Sequence, residues 1–530
     1  MTARATLRRI AAAAVLLAAL GPAAVATPIP WGDARQTPAQ LRARAAAAER
    51  TGDWDAALAA YLDLPAAERT EPATRDRLVN AARRAAQARR HRDPAFQQFA
   101  AALPVRDAGQ VFGDAVGKLG GAFADPGRAA PQRLWAAGVE ELDRALGSRP
   151  FVGLFLTNTP AAKIDAFRLA LRSDWANRPV ADAREARALL KGLIGAAQDE
   201  LAPRVPAALA AEVLCGACAG LDEYTTFLTP EITLDAAADL SGHGLYLGFD
   251  SDGLVVDGVA VGSWAAFHTP LRRGDRIARV NGRSMLQGPP DLADALRSPD
   301  GMFHSLELVA AGTGMLSELR VPVVAPTVFG GRMVSGRDGV GYLRVAEFQP
   351  TTPREIVEAL ACLKEQGMRS LVLDVRGNPG GSFLAGVETA RRFLPAGAAI
   401  VTTHGQHPQV AGQTFSSASG MAALDLPLVL LIDADTASAA EVLAAALRDN
   451  QRAFLVGTAT FGKGTLQFPL KLSGPGSVRV TIARLVAPSG PLSAGVVPHL
   501  PEADPHRQLE LAADRAAELL QPMPRPMLVP

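Results

Sequence analysis

At 530 residues the chain is too long for one hydrophobic core, and three or four domains are expected. A formal net charge of +1 and only 5% aromatic residues exclude nucleic acid as the main partner, because a phosphate footprint needs a basic excess. Beyond the N-terminus no apolar run reaches the length of a membrane span, and three cysteines are too few for a disulfide scaffold.

Residues 1–26 read as an export signal. Arg4, Arg8 and Arg9 precede an apolar stretch from Ile10 to Leu20, and Ala24-Val25-Ala26 is a small-x-small cleavage site. The bulk of the chain is therefore expected in the periplasm or cell envelope, with membrane association only if the signal stays uncleaved. Residues 27–125 have helical spacing, over Leu41 to Glu49 and Trp54 to Leu64. The string from Gly52 to Tyr61 resembles the middle of a tetratricopeptide repeat. A single unit does not make an array, and an ordinary helical hairpin is the alternative. Residues 126–239 are helical as well, with breaks at Gly147 to Pro150 and Asn158 to Pro160. Cys215-Gly-Ala-Cys218 lies in an apolar helical run without a second ligand pair, so a small-residue helix face is preferred to a redox or metal motif. Cys362, in a later amphipathic helix, is assigned to the core.

Residues 240–325 change period. Leu245 to Phe249, Leu254 to Val261, Arg276 to Val280, Ser305 to Val309 and Glu318 to Val323 read as short strands between glycine-rich turns, with a helix over Pro290 to Arg297. A small β-rich module of this kind suits a PDZ domain. Residues 330–505 alternate strand and helix in an α/β layout. The strands are Val340 to Val345, Ser370 to Val375, Leu426 to Ile432, Ala453 to Gly457 and Ser477 to Arg484. The helices are Pro353 to Glu365 after a Thr351-Thr352 cap, Ser382 to Phe393 and Ala439 to Leu447. Residues 506–530 give a helix from Gln508 to Leu520 and a loose proline-rich tail.

Three residues carry a possible amide hydrolysis: Ser438, Lys463 and Gln467. A lysine held neutral serves as general base to a serine hydroxyl, with no histidine needed. Ser438 follows an apolar strand and opens a helix, where free N–H groups and the positive dipole end gather. The Ala439 N–H can then face an oxyanion, and the Gly380-Gly381 pair after the buried strand offers a second donor. Lys463 stands between Gly462 and Gly464 and has to be desolvated to lose its proton. Gln467, four residues on, falls on the same side and can orient it.

From about residue 221 to 503 the chain resembles the carboxy-terminal processing peptidases, or tail-specific proteases. Leu221 to Pro230, Arg273-Gly-Asp-Arg-Ile-Ala-Arg-Val-Asn-Gly282, Leu373 to Gly381, the Ser438–Lys463–Gln467 set, Ala487 to Gly490 and Gly495 to Pro498 occur in that family's order. The resemblance implies a multidomain α+β protein: a helical N-terminal region, a PDZ domain and a crotonase-like α/β protease core. It implies Ser438 as nucleophile, Lys463 as base, Gln467 as its orienting residue, and an oxyanion hole from Ala439 with Gly380 or Gly381. The PDZ loop holding a substrate's C-terminal carboxylate would be Leu245-Tyr246-Leu247-Gly248. Departures are Ala440 for a common serine, Asp435 for glycine, Val486 for an aromatic residue, His499 for aspartate, and His268-Thr-Pro270 where Ala-Gly is usual. None removes a catalytic group.

The sequence thus points to an exported serine endopeptidase acting through an acyl-enzyme on proteins with unstructured, apolar C-termini. No metal or cofactor is implied. The helical N-terminal region is left open as the seat of a protein adaptor. Rival readings are a catalytically idle PDZ scaffold, disfavoured by the intact Ser–Lys–Gln set, and a coenzyme-A thioester enzyme, disfavoured by the export signal.

Overall fold

The computed structural model describes residues 37–521 apart from 65–67, 69–70, 157, 231–239, 241–242, 251–252, 260–262, 286–294, 297–302, 311–315, 324–325 and 419–423. The export signal, most of the helix expected at Pro290 to Arg297 and the C-terminal tail lie outside the described residues. The chain forms two compact units. The first is Met1–Glu231 with Thr402–Gln413 and Thr465–Leu485; the second is Ile232–Val401 with Thr414–Gly464 and Val486–Pro530.

The first unit opens with α1 (Pro38–Thr51) and α2 (Trp54–Leu62). Thr37 and Gln40 form a reciprocal capping box at the start of α1, and Gly52 ends it in the left-handed region at φ 77°. The Asp53 side chain then caps α2 by accepting from Ala56. Leu41, Ala45, Leu58, Tyr61 and Leu64 close a small core with Ala81 and Ala85 of α3 (Pro72–Arg92). Seven helices follow: α4 (Pro94–Ala102), α5 (Val105–Ala122), α6 (Pro131–Leu146), α7 (Arg149–Phe155), α8 (Ala161–Ser173), α9 (Ala183–Leu201) and α10 (Pro206–Ala219). Among the described residues no helix is long and apolar enough to cross a membrane.

Helix α10 is buried on every side from Ala207 to Cys218. It packs closely on α6 because Gly138 and Gly216 face the partner backbone. A methyl group added at Gly138 would sit 2.6 Å from the Val213 carbonyl, and one at Gly216 2.7 Å from that of Ala137. Cys215 and Cys218 are free thiols inside this packing. The one charged residue there, Glu212, accepts from Arg90 at 2.8 and 3.0 Å and from Gln87 at 2.9 Å, with His91 Nε2 3.1 Å away. Burial opposes ionisation of Glu212, but Arg90 and then His91 outweigh it and bring its carboxyl down to about 2. Strand β1 (Thr226–Leu228) ends the helical region.

In the second unit β2 (Leu245–Asp250), β3 (Gly253–Val259), β4 (Arg276–Val280), β6 (Phe303–Val309) and β7 (Leu316–Pro322) form an antiparallel sheet in that order, with β5 (Arg283–Ser284) paired to β4. Asn281 and Gly282, at φ 49° and 77°, make the tight β4–β5 turn that only such residues favour. Alternation along β6 buries Leu306 and Leu308 against Leu254, Val256, Ile277 and Val321. The short helix α11 (Trp264–His268) lies between β3 and β4 in sequence.

A second sheet runs β18-β14-β13-β10-β9-β8. Its strands are β8 (Val328–Met333), β9 (Val340–Val345), β10 (Ser370–Asp374), β13 (Leu428–Ile432), β14 (Phe454–Gly457) and β18 (Leu500–Pro501). All neighbours are parallel except β8 with β9. Every residue of β10 and β13 is buried, as continuous apolar runs in a parallel sheet should be. Helices α12 (Thr352–Glu365), α13 (Phe383–Phe393) and α14 (Ala439–Asp449) supply the crossovers, and α15 (Pro505–Glu518) sets Ala512 and Ala516 against Val372, Val429 and Val456. Two expectations fail here. Cys362 is exposed, because Ile356, Leu360 and Leu363 define the buried face of α12 and position 362 turns away from it. Thr351 caps nothing with its side chain; it donates instead to Glu355, at 2.6 Å.

Strands β11 (Ala399–His404), β12 (Thr414–Ser416) and β15 (Thr465–Lys471) were not marked by the sequence pattern. In the first unit β15 and β1 pair antiparallel to β16 (Ser477–Ala487); the last two residues of β16 fall in the second unit, where they pair with β17 (Gly490–Pro491). The segment Leu221 to Pro230 therefore contributes a strand, β1.

Candidate active site

Strand β13 delivers the chain to the turn Asp433–Ser438 at the carboxyl end of the parallel sheet, the usual place for a site in such folds. Thr436 donates its hydroxyl to the Val375 carbonyl at 2.9 Å, and the Ala437 N–H donates to that of Asn378 at 2.9 Å. These bonds force Ser438 to φ 56° and ψ −116°, a conformation that costs a non-glycine residue about 1–3 kcal/mol. Such a sharp strand-to-helix turn lifts a serine hydroxyl above the helix start. Ser438 is half-buried and Ala439 fully buried as the first residue of α14.

The glycine loop leaves β10 in the same place. Asp374 is wholly buried and accepts from Tyr342 at 2.8 Å and Arg376 at 2.6 and 3.0 Å. Burial opposes its ionisation, but Arg376 and then Arg344 outweigh that and hold its carboxyl below the usual range. Asn378, also wholly buried, donates to the Val345 carbonyl at 3.0 Å and accepts the Gly380 N–H at 2.8 Å. Gly380, at φ 102°, lies so close to Ser438 that an added methyl would sit 2.7 Å from Ser438 Cβ and 3.0 Å from the Ala439 nitrogen. Gly381, at φ 119°, is pinned to Phe348 by the bonds Phe348 N–H to Gly380 carbonyl and Ser382 N–H to Phe348 carbonyl, both 2.6 Å. Among the described residues the N–H groups of Ala439 and Gly381 have no protein acceptor, whereas that of Gly380 is held by Asn378.

Lys463 is half-buried, in the loop after β14. Its N–H donates to Glu441 Oε2 at 2.8 Å, and the Ser438 N–H donates to the same oxygen at 2.8 Å. Gly462, at φ 89°, bends the loop, and a methyl there would meet the Ser493 carbonyl at 2.9 Å. Ser438, Ala439, Gly380, Gly381 and Lys463 all belong to the second unit. Gln467 belongs to the first, on β15, where its amide donates to Thr465 at 2.8 Å and Thr481 at 3.1 Å. His499 stacks on Phe454 and accepts the Leu455 N–H at 3.0 Å.

Leu245 to Gly248 fall on β2, an edge strand of its sheet. Leu245 points into the core, Tyr246 is exposed, and Leu247 and Gly248 are half-buried. The sequence reading passed over Glu441, Asn378 and Thr460. Only Glu441 left a local signal, a Ser-x-x-Glu spacing at a helix start.

Residues 339–501 match the model of peptidase family S41. The wider similarity is to carboxyl-terminal-processing proteases. The chain is 36% identical over 282 residues to the carboxyl-terminal-processing protease of Synechocystis, covering 51% of this chain and 65% of that protein. It is 33% identical over 280 residues to carboxyl-terminal-processing peptidase 1, chloroplastic, of Arabidopsis thaliana, covering 51% of this chain and 57% of that protein. The chain thus spans less than two thirds of the length of either relative. Among solved structures, the photosystem II D1 C-terminal processing protease aligns over 78% of this chain and 99% of its own, with 24% identity and a TM-score of 0.41.

Proposed function

We propose that the chain is an exported serine endopeptidase that cuts near the C-terminus of protein substrates. One observation carries this reading: a single carboxylate oxygen of Glu441 binds the main-chain N–H of both Ser438 and Lys463, so the two chemically competent residues leave adjoining backbone. Ser438 Oγ attacks the scissile carbonyl and gives its proton to neutral Lys463. The negative oxygen that develops is met by the Ala439 N–H at the start of α14 and by the Gly381 N–H, since Asn378 holds that of Gly380. The amine product leaves with a proton from Lys463, and the acyl-enzyme is hydrolysed by a water that Lys463 activates. Gln467 is assigned the task of orienting Lys463 by family resemblance.

Residues 240–325 are read as a PDZ domain. An extended substrate tail would add to the edge strand β2, with main-chain bonds giving affinity and the segment from Leu245 to Gly248 receiving the terminal carboxylate. The apolar preference and the export of the protein rest on the sequence alone. The crotonase-like classification of the core follows from the family resemblance, and the N-terminal helices are left as a candidate seat for a protein adaptor.

The test compares wild type with Ser438→Ala and Lys463→Ala on an exported protein bearing a flexible apolar C-terminus. Wild type is expected to release a C-terminal fragment, and each variant to lose at least about 10³-fold in rate. The wild-type rate should rise with pH along a limb well below the free lysine value of about 10.4. Equal cleavage by all three proteins would overturn the dyad.

A further inference from the structure

Glu441 has no part in the chemistry just proposed, yet it is wholly buried against both segments that perform it. A helix-capping glutamate needs only the bond to the N-cap N–H, here from Ser438 at 2.8 Å. Three further donors converge on the same carboxylate from the lysine loop. Oε2 also takes the Lys463 N–H at 2.8 Å, and Oε1 takes the Gly462 N–H and the Thr460 hydroxyl, both at 2.6 Å. The main-chain nitrogens of Ser438 and Lys463 therefore lie within twice 2.8 Å of each other. Thr460, its one proton committed to Glu441, accepts the Val496 N–H at 2.7 Å and so ties in the segment Gly495 to Pro498.

A carboxylate offers about four lone-pair sites and no proton, and here each site meets a donor. An amide cannot replace it, because its NH2 group would face N–H donors. The lysine loop has no slack to absorb a change. Gly462 and Gly464 lie against the Ser493 main chain, where even a methyl group would clash. Burial pushes the Glu441 carboxyl above its usual range, against the bonds from Thr460, Gly462, Ser438 and Lys463 that favour the ionised form. A buried carboxylate whose every bond ties the Ser438 turn to the Lys463 loop marks a group that sets position.

We propose that Glu441 is a positioning residue for the catalytic pair: its carboxylate fixes the spacing of the Ser438 and Lys463 main chains and thereby the approach of Lys463 Nζ to Ser438 Oγ. The inference rests on the Ser–Lys reading given above.

The test is Glu441→Gln in the full chain, with Thr460→Val as a second variant that removes one donor and leaves the charge. For Glu441→Gln, kcat should fall roughly 100-fold, the effect of a misplacement of about 1 Å. KM should stay within about twofold, since substrate binding energy is untouched. The rising limb of the pH–rate profile should move upward as the lysine loses its fixed setting. Thr460→Val should show a smaller fall with the same shift. Folded Glu441→Gln with wild-type kcat and pH profile would overturn the proposal; if that variant does not fold, the same outcome in Thr460→Val would. Hydrogen exchange over residues 436–444 and 459–466 separates this from failure of the peptidase reading. If wild type cleaves nothing, Glu441→Gln should still speed exchange in both segments together, and unchanged exchange in both would sink the clamp.

Discussion

The carbonyl of Asn378 accepts the N–H of Ala437 at 2.9 Å, so the glycine loop is tied to the turn before Ser438. Asn378 also holds the Gly380 N–H through its side chain. One buried asparagine thus fixes both walls of the expected oxyanion site.

Gly380→Ala is expected to abolish most activity while leaving the fold. The added methyl would approach Ser438 Cβ to 2.7 Å, and φ 102° strains any side chain. Displacing the neighbouring Ala439 and Gly381 N–H donors lowers kcat by about 10²–10³-fold. Steady-state kinetics beside a thermal melt will check this. A wild-type kcat would show that the loop plays no catalytic part.

Acid should destabilise the second unit through Asp374. Its folded carboxyl titrates below the unfolded value of about 3.9, so its contribution is fully present above that value and is lost as pH falls through the folded one. Asp374→Asn leaves Arg376 and Arg344 beside a neutral amide, and should cost roughly 3–5 kcal/mol at pH 7. Urea melts from pH 7 to pH 3 should show a flatter acid dependence for the variant.

Glu212→Gln tests the buried network of the first unit. With its carboxyl lowered to about 2, Glu212 stabilises the fold above an unfolded value of about 4.3 and loses that effect between there and 2. The variant should lose about 3 kcal/mol at neutral pH, read as a lower melting temperature. Retention of the wild-type melting temperature would mean that Arg90 is satisfied by Glu141 alone.

Thiol labelling should separate the three cysteines. Cys362 is exposed, whereas burial pushes Cys215 up to about 12 and Cys218 also well up. A native sample should react at Cys362 alone, and a denatured one at all three. Fast native labelling of Cys215 would mean that α10 opens.

Much of the core was legible because its signals are local. Ser370–Asp374 and Leu428–Ile432 read as buried strands from unbroken apolar runs, and Ser438 could be placed between strand and helix from the pattern around it. Strand β15 was hidden because it contains Pro469 and its residues are mostly half-buried, which blurs alternation. Cys362 was misplaced because an amphipathic helix fixes a stripe of positions rather than every apolar residue within it. Glu441 was visible only as the end of a capping pattern. Its bonds to Gly462 and Lys463 depend on a loop brought in by the sheet, which no local spacing records.

Helix α10 carries a consequence for shortening the chain. Its only charged group, Glu212, is neutralised from α3, more than a hundred residues earlier in synthesis. A protein trimmed to begin after α3 would bury a carboxylate with no counterion from Arg90, and would have to hydrate or unravel its most apolar helix. Helix α3 therefore serves the folding of the helical unit, and a trimmed protein that lost activity would say nothing about recruitment of a partner until its folding had been measured.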